Sequence, residues 1–338
     1  MAISYASAGV DISKVKGIHS EVQETLKSTF LPGVLPIFGH YAGLVKIGKE
    51  TIAMHTDGVG TKVLVAHELN KYDTVGIDCV AMNVNDIICV GAKPVALVDY
   101  LALQREDAVL VREIMKGLVS GSKEAEVSLI GGETAIMPDL IKGESGKTGF
   151  DLAGTAIGAV KGKPITGEKM KVGDAIIGLE SSGVHSNGLT LARKALPKEH
   201  WGELLAPTKI YVRPVMQMLD SIDVHGMAHI TGGAFSKLMR IGDYAKVGFL
   251  LDNMPKPSRV FERMSKSGIS EKEMYSTFNM GVGLCVVAEP KAAKKVAGIF
   301  HAHGMEAWPI GRAVDDPERT VRIPSLKVVG KRDKFYEE

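Results

Sequence analysis

The stretch TDGVGTK, residues 56–62, sets Asp57, two glycines, Thr61 and Lys62 directly behind a short apolar run. Gly58 and Gly60 let backbone N–H groups approach an anion closely and permit the positive φ of a tight turn. Asp57 offers the oxygen ligand that magnesium prefers, and Lys62 offers a point charge to a phosphate. The residue order differs from the G-x-x-x-x-G-K-[ST] nucleotide loop. Taken alone, the same stretch also suits a plain strand–turn–helix capped by Asp and Thr.

A second stretch adds to it. In GIDCVAMNVND, Asp78, Met82, Asn85 and Asp86 stand at i, i+4, i+7 and i+8, so one face of a helix carries Asp, Asn and Asp. Clustered carboxylates repel one another and are costly near a core unless something positive joins them; bound Mg²⁺ would resolve the conflict. A solvent-facing stripe is the alternative, but the neighbouring turns are apolar all round, which argues for burial. LIGGETAIMP (129–138) places Gly131 and Gly132, then Glu133 and Thr134, directly after an apolar strand. Those glycines suit backbone contact with a nucleotide, and Glu133 offers a third carboxylate. An exposed Glu beside turn glycines is the plainer reading.

The second half carries turns of a different kind. SSGVHSNGLT offers Ser182, Gly183, His185, Ser186, Asn187 and Gly188 ahead of a helix, a natural oxyanion or phosphate pocket. His185 could act as a base or a donor, although a lone His is more often structural. HITGGAF repeats the idea with Thr231, Gly232 and Gly233. Two phosphate-type turns in one half and an acid-rich cluster in the other suggest two phosphate-bearing ligands meeting at a cleft.

Positioning these residues requires alternating strands and helices. Strands are expected at 51–57, 95–103, 126–133 and 150–160, with helices over about 73–90 and 106–125. KGKPITGEKMKVGD (161–174) has no apolar period and reads as a junction. Beyond it, helices are expected at about 187–196, 208–220, 233–241, 258–267 and 291–303, with strands near 246–251, 281–288 and 306–314; the tail after Arg322 reads as polar surface. The chain of 338 residues is long enough for two domains, and 45% hydrophobic content lets each bury a core. Its 41 basic and 39 acidic residues leave a formal charge of +2 without a basic block, so nucleic acid is not expected as a partner. The three cysteines make no metal-ligand spacing and read as core thiols. No apolar run approaches membrane-spanning length, and Asp11 and Lys14 interrupt any signal-peptide core, so a cytoplasmic protein without membrane association is expected.

Taken in order, YASAGVDI (5–12), TDGVGTK, DTVGIDCVAMNVNDI, GAKPVALVDYLA, LIGGETAIMPD, SSGVHSNGLTLARKAL, LLAPTKIYV, AHITGGAF and EMYSTFNMGVG resemble the phosphoribosylformylglycinamidine cyclo-ligase (aminoimidazole ribonucleotide synthetase) family along nearly the whole chain. The resemblance implies an α/β (α+β) fold of two domains. Residues 1–162 would form a mixed sheet with helices that binds ATP and dimerises, and residues 163–338 an α/β/α domain. It implies ATP-dependent closure of formylglycinamidine ribonucleotide to aminoimidazole ribonucleotide, with Mg²⁺ and a homodimer. On that likeness Asp57, Asp86 and Glu133, with Asp78, would gather Mg²⁺. Lys62 and the glycine amides would face the ATP phosphates, Asn85, Thr61, Gly131, Gly132 and Thr134 would line the nucleotide, and Lys14 and Lys16 would add phosphate contacts. Ser182–Gly188 and Thr231–Gly233 would hold the substrate's ribose phosphate, and His185 would handle a proton.

Overall fold

Each half of the chain builds one sheet. The computed structural model describes residues 18, 21–23, 25–143, 146–331 and 334–337; Asp11, Lys14 and Lys16, and the YASAGVDI segment, lie outside them. Sheet 1 contains β1 (Val34–Leu35), β2 (Gly43–Ile47), β3 (Glu50–Gly58), β4 (Ala92–Leu103), β5 (Ser128–Ile136) and β6 (Phe150–Val160), in the order β1-β2-β3-β6-β4-β5. Its neighbours are antiparallel except β4 and β5. A parallel pair needs a crossover, and the helix α3 (Ala108–Ala125) supplies it. Asp107 caps that helix, accepting from the N–H groups of Val109 and Leu110.

Helices α1 (Lys62–Leu69) and α2 (Asp73–Cys89) precede α3. Val80, Val84, Ile87 and Ile88 of α2 are fully buried, as their helical spacing requires. The α2 and α3 backbones nearly touch, because a Cβ on Gly76 would sit 2.3 Å from the Leu118 nitrogen and one on Gly117 would sit 2.0 Å from the Asp73 oxygen. Only glycine fits at either position.

Sheet 2 contains β7 (Ala175–Glu180), β8 (Val224–His229), β9 (Gly248–Leu250), β10 (Val282–Ala288), β11 (Ala307–Val314), β12 (Val321–Ile323), β13 (Val328–Lys331) and β14 (Lys334–Glu337), ordered β14-β13-β12-β9-β11-β7-β10-β8. Helices α4 (Leu189–Ala195), α5 (Val212–Leu219) and α6 (Lys237–Ala245) follow its strands. One expectation is corrected here. The tail after Arg322 is not polar surface: Val328 and Phe335 are buried as β13 and β14 extend the sheet. The stretch 224–229 is a fully buried strand; its apolar residues are broken by two histidines, which hid the pattern. No helix among the described residues is long and apolar enough to cross a membrane.

The polar stripe of α2 joins the two sheets. Asp78 Oδ1 accepts from Lys62 Nζ (2.9 Å), from the Thr208 backbone N–H (2.7 Å) and from the Thr208 hydroxyl (2.6 Å). Lys62 Nζ also donates to the Ala206 carbonyl at 2.7 Å. Asn85 donates to the Lys209 carbonyl (2.9 Å) and accepts from Tyr211 N–H (3.1 Å). Asp86 Oδ1 lies 2.7 Å from His229 Nδ1 at the end of β8.

Lys62 and Asp78 have no exposed surface. Removing one partner of a buried pair leaves an uncompensated charge, so Lys62→Met should lower stability by roughly 3–5 kcal/mol in denaturant unfolding. A loss below about 1 kcal/mol, the size expected of exposed pairs, would contradict the sealed seam.

Candidate active site

Asp57 reaches its position by strand alternation. Thr51, Ala53, His55 and Asp57 stand on the more buried face of β3, and that face packs on α2. Asn83 of α2 donates to the Asp57 carbonyl at 3.2 Å and so fixes the strand end. Asp86, one helical turn further along α2, lies with Oδ2 3.4 Å from His55 Nε2 and Oδ1 against His229. Two carboxylates and two imidazoles thus share one partly buried recess.

Their electrostatics differ. Burial, reinforced by the charge of Asp86, pushes the Asp57 carboxyl above its usual range, and His55 and the Gly58 N–H only partly offset this. Burial would raise Asp86 too, but the His229 hydrogen bond and the charges of His55, His229 and Lys237 carry it below the usual value. Asp86 is therefore the anchored anion, and Asp57 is the one that gains most from a cation.

Three glycine turns meet over this recess. Thr61 Oγ1, from the first turn, lies 3.0 Å from Thr190 Oγ1. Asn187 places Nδ2 4.0 Å from Met82 Sδ on α2, and its Oδ1 lies 3.1 Å from where a Cβ on Gly232 would sit. Ser186 Oγ lies 3.3 Å from Thr208 Oγ1. Gly60, Gly188 and Gly233 all take positive φ, at 64°, 73° and 88°, as tight turns require. The turns 56–61, 182–188 and 231–233 thus lie against one another, with Asn187 reaching Met82 of α2.

Other expected site residues are elsewhere. Lys62 does not meet a ligand, because Asp78 and Ala206 occupy its ammonium and no surface is left open. Asp78 is spent on that pair and on Thr208, and Asn85 on the backbone of 209–211, so neither reaches the recess as a free donor. His185 is fully buried; its Nε2 accepts from the N–H groups of Ser182 (3.2 Å) and Lys209 (3.5 Å). Burial first, then the charges of His229, Lys62 and Lys209, hold it far below the usual imidazole range, so it is a neutral staple between loops. Ser182 is exposed, with its hydroxyl on the Pro207 carbonyl, and Gly183 sits beside the same loop.

Gly131, Gly132, Glu133 and Thr134 are not a turn at a strand end. They lie inside edge strand β5, which pairs with β4 beyond them. A Cβ on Gly132 would fall 2.2 Å from Asp99 Oδ1, so glycine is needed there for the neighbouring carboxylate. Glu133 pairs in register with Tyr100, one residue off the Asp57–Gly154–Asp99–Gly132 row, and therefore stands on the opposite face of the sheet from Asp57. Among the described residues no group of three or more His, Cys, Asp or Glu forms a metal cage. His55 and His229 are site residues that the sequence motifs do not single out, although His55 directly precedes TDGVGTK and His229 opens HITGGAF. A polar residue at the end of an apolar strand was the available signal. A separate cavity of about 870 Å³, lined in part by Lys93, Ile165, Met216 and His225, contains none of these residues.

This arrangement can be set against known proteins. Residues 39–160 match the AIR synthase related protein N-terminal domain, and 171–324 match the C-terminal domain. The phosphoribosylformylglycinamidine cyclo-ligase of Saccharolobus solfataricus is 46% identical over 324 residues, covering 94% of this chain and 96% of that protein. The chain belongs to the phosphoribosylformylglycinamidine cyclo-ligase family. The enzyme of that name from Methanocaldococcus jannaschii is also 46% identical, over 97% and 96% of the two chains. Among solved structures, AaThiL complexed with AMPPCP and TMP superposes with a TM-score of 0.69 at 14% identity, over 96% of this chain and 98% of that one. The HypE–HypF complex gives 0.67 at 18%, over 93% and 99%. At those identities the likeness establishes the two-domain α/β fold.

The raised Asp57 pKa has a consequence for stability. The folded state holds that proton more tightly than the unfolded state, so its contribution is complete below the unfolded value of about 4 and is lost as pH rises through the folded one. In protein free of metal and nucleotide, Asp57→Asn should therefore raise Tm at pH 7, and the gain should shrink as pH falls toward the acid range. An Asn variant that melts lower than the parent at pH 7 would contradict the crowded-carboxylate reading.

Proposed function

We propose that this chain closes the imidazole ring of formylglycinamidine ribonucleotide with ATP, giving aminoimidazole ribonucleotide, ADP and phosphate. The observation that carries this reading is the Asp57–Asp86 pair under three converging glycine turns, in a chain 46% identical to named cyclo-ligases over nearly its full length. The chemical difficulty is the formyl amide oxygen, a poor leaving group. Its attack on the γ-phosphorus of ATP breaks the bond to the β-phosphate oxygen and yields ADP and a phosphorylated imidate. The ring-closing nitrogen then attacks the imidate carbon, the C–O bond breaks, and phosphate departs.

In such phosphoryl transfers a protein works mainly by position and charge. Mg²⁺ fits this site: it is commonly bound by one or two carboxylates together with substrate phosphates, and the crowded Asp57–Asp86 pair supplies those carboxylates. Bound there, it would neutralise charge on the transferred phosphoryl group. His229 and His55 orient Asp86, and Asn83 fixes the backbone of Asp57. The backbone of Gly58 and Gly60 and the Thr61 hydroxyl are assigned to the nucleotide phosphates. Asn187, Gly188, Thr231, Gly232 and Gly233 are assigned to the ribonucleotide substrate, with Ser182, Gly183 and Ser186 shaping its loop. Lys62, Asp78, Asn85 and His185 hold these groups in place from behind.

Residues 1–162 are assigned as the nucleotide-binding and dimerising domain and 163–338 as the second domain, with the junction in the unpatterned stretch 161–174. A homodimer is supported by the sheet 1 face turned away from α2, where Met54, Val98 and Tyr100 are 49%, 38% and 42% exposed. Glu133 belongs to that face and is assigned to the dimer contact, not to the metal. A cytoplasmic location suits a purine-biosynthetic activity.

Two measurements test these assignments. Asp86→Asn should cut ADP release with formylglycinamidine ribonucleotide by about two orders of magnitude or more, in line with the loss of a principal transition-state electrostatic group, while circular dichroism stays unchanged. Near-normal turnover would remove Asp86 from the metal shell. Replacing Val98 with Glu should shift sedimentation toward a monomer, because a charge buried without a partner opposes association; an unchanged dimer would place the interface elsewhere.

A further inference from the structure

The α6 segment carries polar groups that the assignments above do not use. Ser236, at the start of that nine-residue helix, is only 4% exposed, yet its hydroxyl has no hydrogen-bond partner. It faces the glycine turn, since a Cβ on Gly233 would lie 3.0 Å from Ser236 Oγ. A buried hydroxyl without a partner is unfavourable in an isolated chain and calls for one from outside. Lys237 and Arg240 follow at i and i+3, on one face of α6. Tyr41 fixes that face: its hydroxyl donates to the Lys237 carbonyl at 3.1 Å, and the Arg240 guanidinium lies 5.2 Å over its ring. Among the described residues no carboxylate pairs with Arg240.

We propose that Ser236, Lys237 and Arg240 extend the 231–233 turn into the seat of the substrate's 5′-phosphate monoester. This rests on the ring-closing reaction proposed above and names the residues that select its ribonucleotide. Charge separates the two phosphate-bearing ligands. A phosphate approaching Asp57 and Asp86 must bring a cation with it, as ATP does with its metal. A metal-free monoester needs a cationic seat, and Lys237 and Arg240 supply that charge beside the 231–233 turn. Lys237 is close enough to influence Asp86, so the two seats adjoin.

The test uses full-length protein and Arg240→Gln. Loss of a charge-assisted phosphate contact should raise KM for formylglycinamidine ribonucleotide about tenfold or more, with KM for ATP changed less than about twofold. Ser236→Ala should move the same constant in the same direction by a smaller factor. Ribose 5-phosphate, added without ATP or magnesium, should raise the parent's Tm and leave the Arg240→Gln variant unmoved. A rise in KM for ATP instead, or no change in either constant, overturns the assignment. Should the parent not turn over formylglycinamidine ribonucleotide while ribose 5-phosphate still binds through Arg240, the sugar-phosphate seat stands and the assigned reaction falls.

Discussion

One polar stripe on an otherwise buried helix determines how this protein is put together. Asp78, Asn85 and Asp86 of α2 each make hydrogen bonds to the second half of the chain, at Thr208, at Lys209 and Tyr211, and at His229. Apolar residues on the rest of α2 bind it to sheet 1 and α3. The helix is thus core for one sheet and connector for the other. Charge buried in this way adds little net stability, because desolvation offsets most of the attraction. What it gives is register: the 206–211 loop and β8 can dock in only one position, which brings the glycine turns over Asp57.

The recess shows the cost of that arrangement. Asp57 and Asp86 share a low-dielectric site, and the charge of Asp86 adds to burial in raising the Asp57 carboxyl above its usual range. Two imidazoles relieve Asp86 and offset the burial of Asp57 only in part. A protein selected for stability alone would place an amide at Asp57. Keeping a carboxylate there is what a site that recruits a cation requires, and stability is commonly given up at such positions.

Much of this was legible in the residues. The burial of α2 followed from its apolar turns, and the three glycine turns were found by composition, because glycine is the residue that tolerates their positive φ. The roles within α2 were harder to read. Spacing shows that Asp78 and Asp86 share a face, but not that Lys62 and Thr208 are waiting for the first and His229 for the second; those partners are 16, 130 and 143 residues away. Lys62 and His185 were misjudged for the same reason, since burial of a polar side chain is decided by distant loops. Glu133 was misplaced by strand alternation: a shift of one residue moves a side chain to the other face of a sheet.

Asp57 and Asp86 are assigned to act together on one metal-bound nucleotide. A crystal structure with magnesium and a non-hydrolysable ATP analogue measures this most directly. The ion is predicted at about 2.0–2.1 Å from an oxygen of each carboxylate and from the analogue's phosphates. An ion bound away from both, with Asp57 and Asp86 unchanged around the histidines, would contradict it.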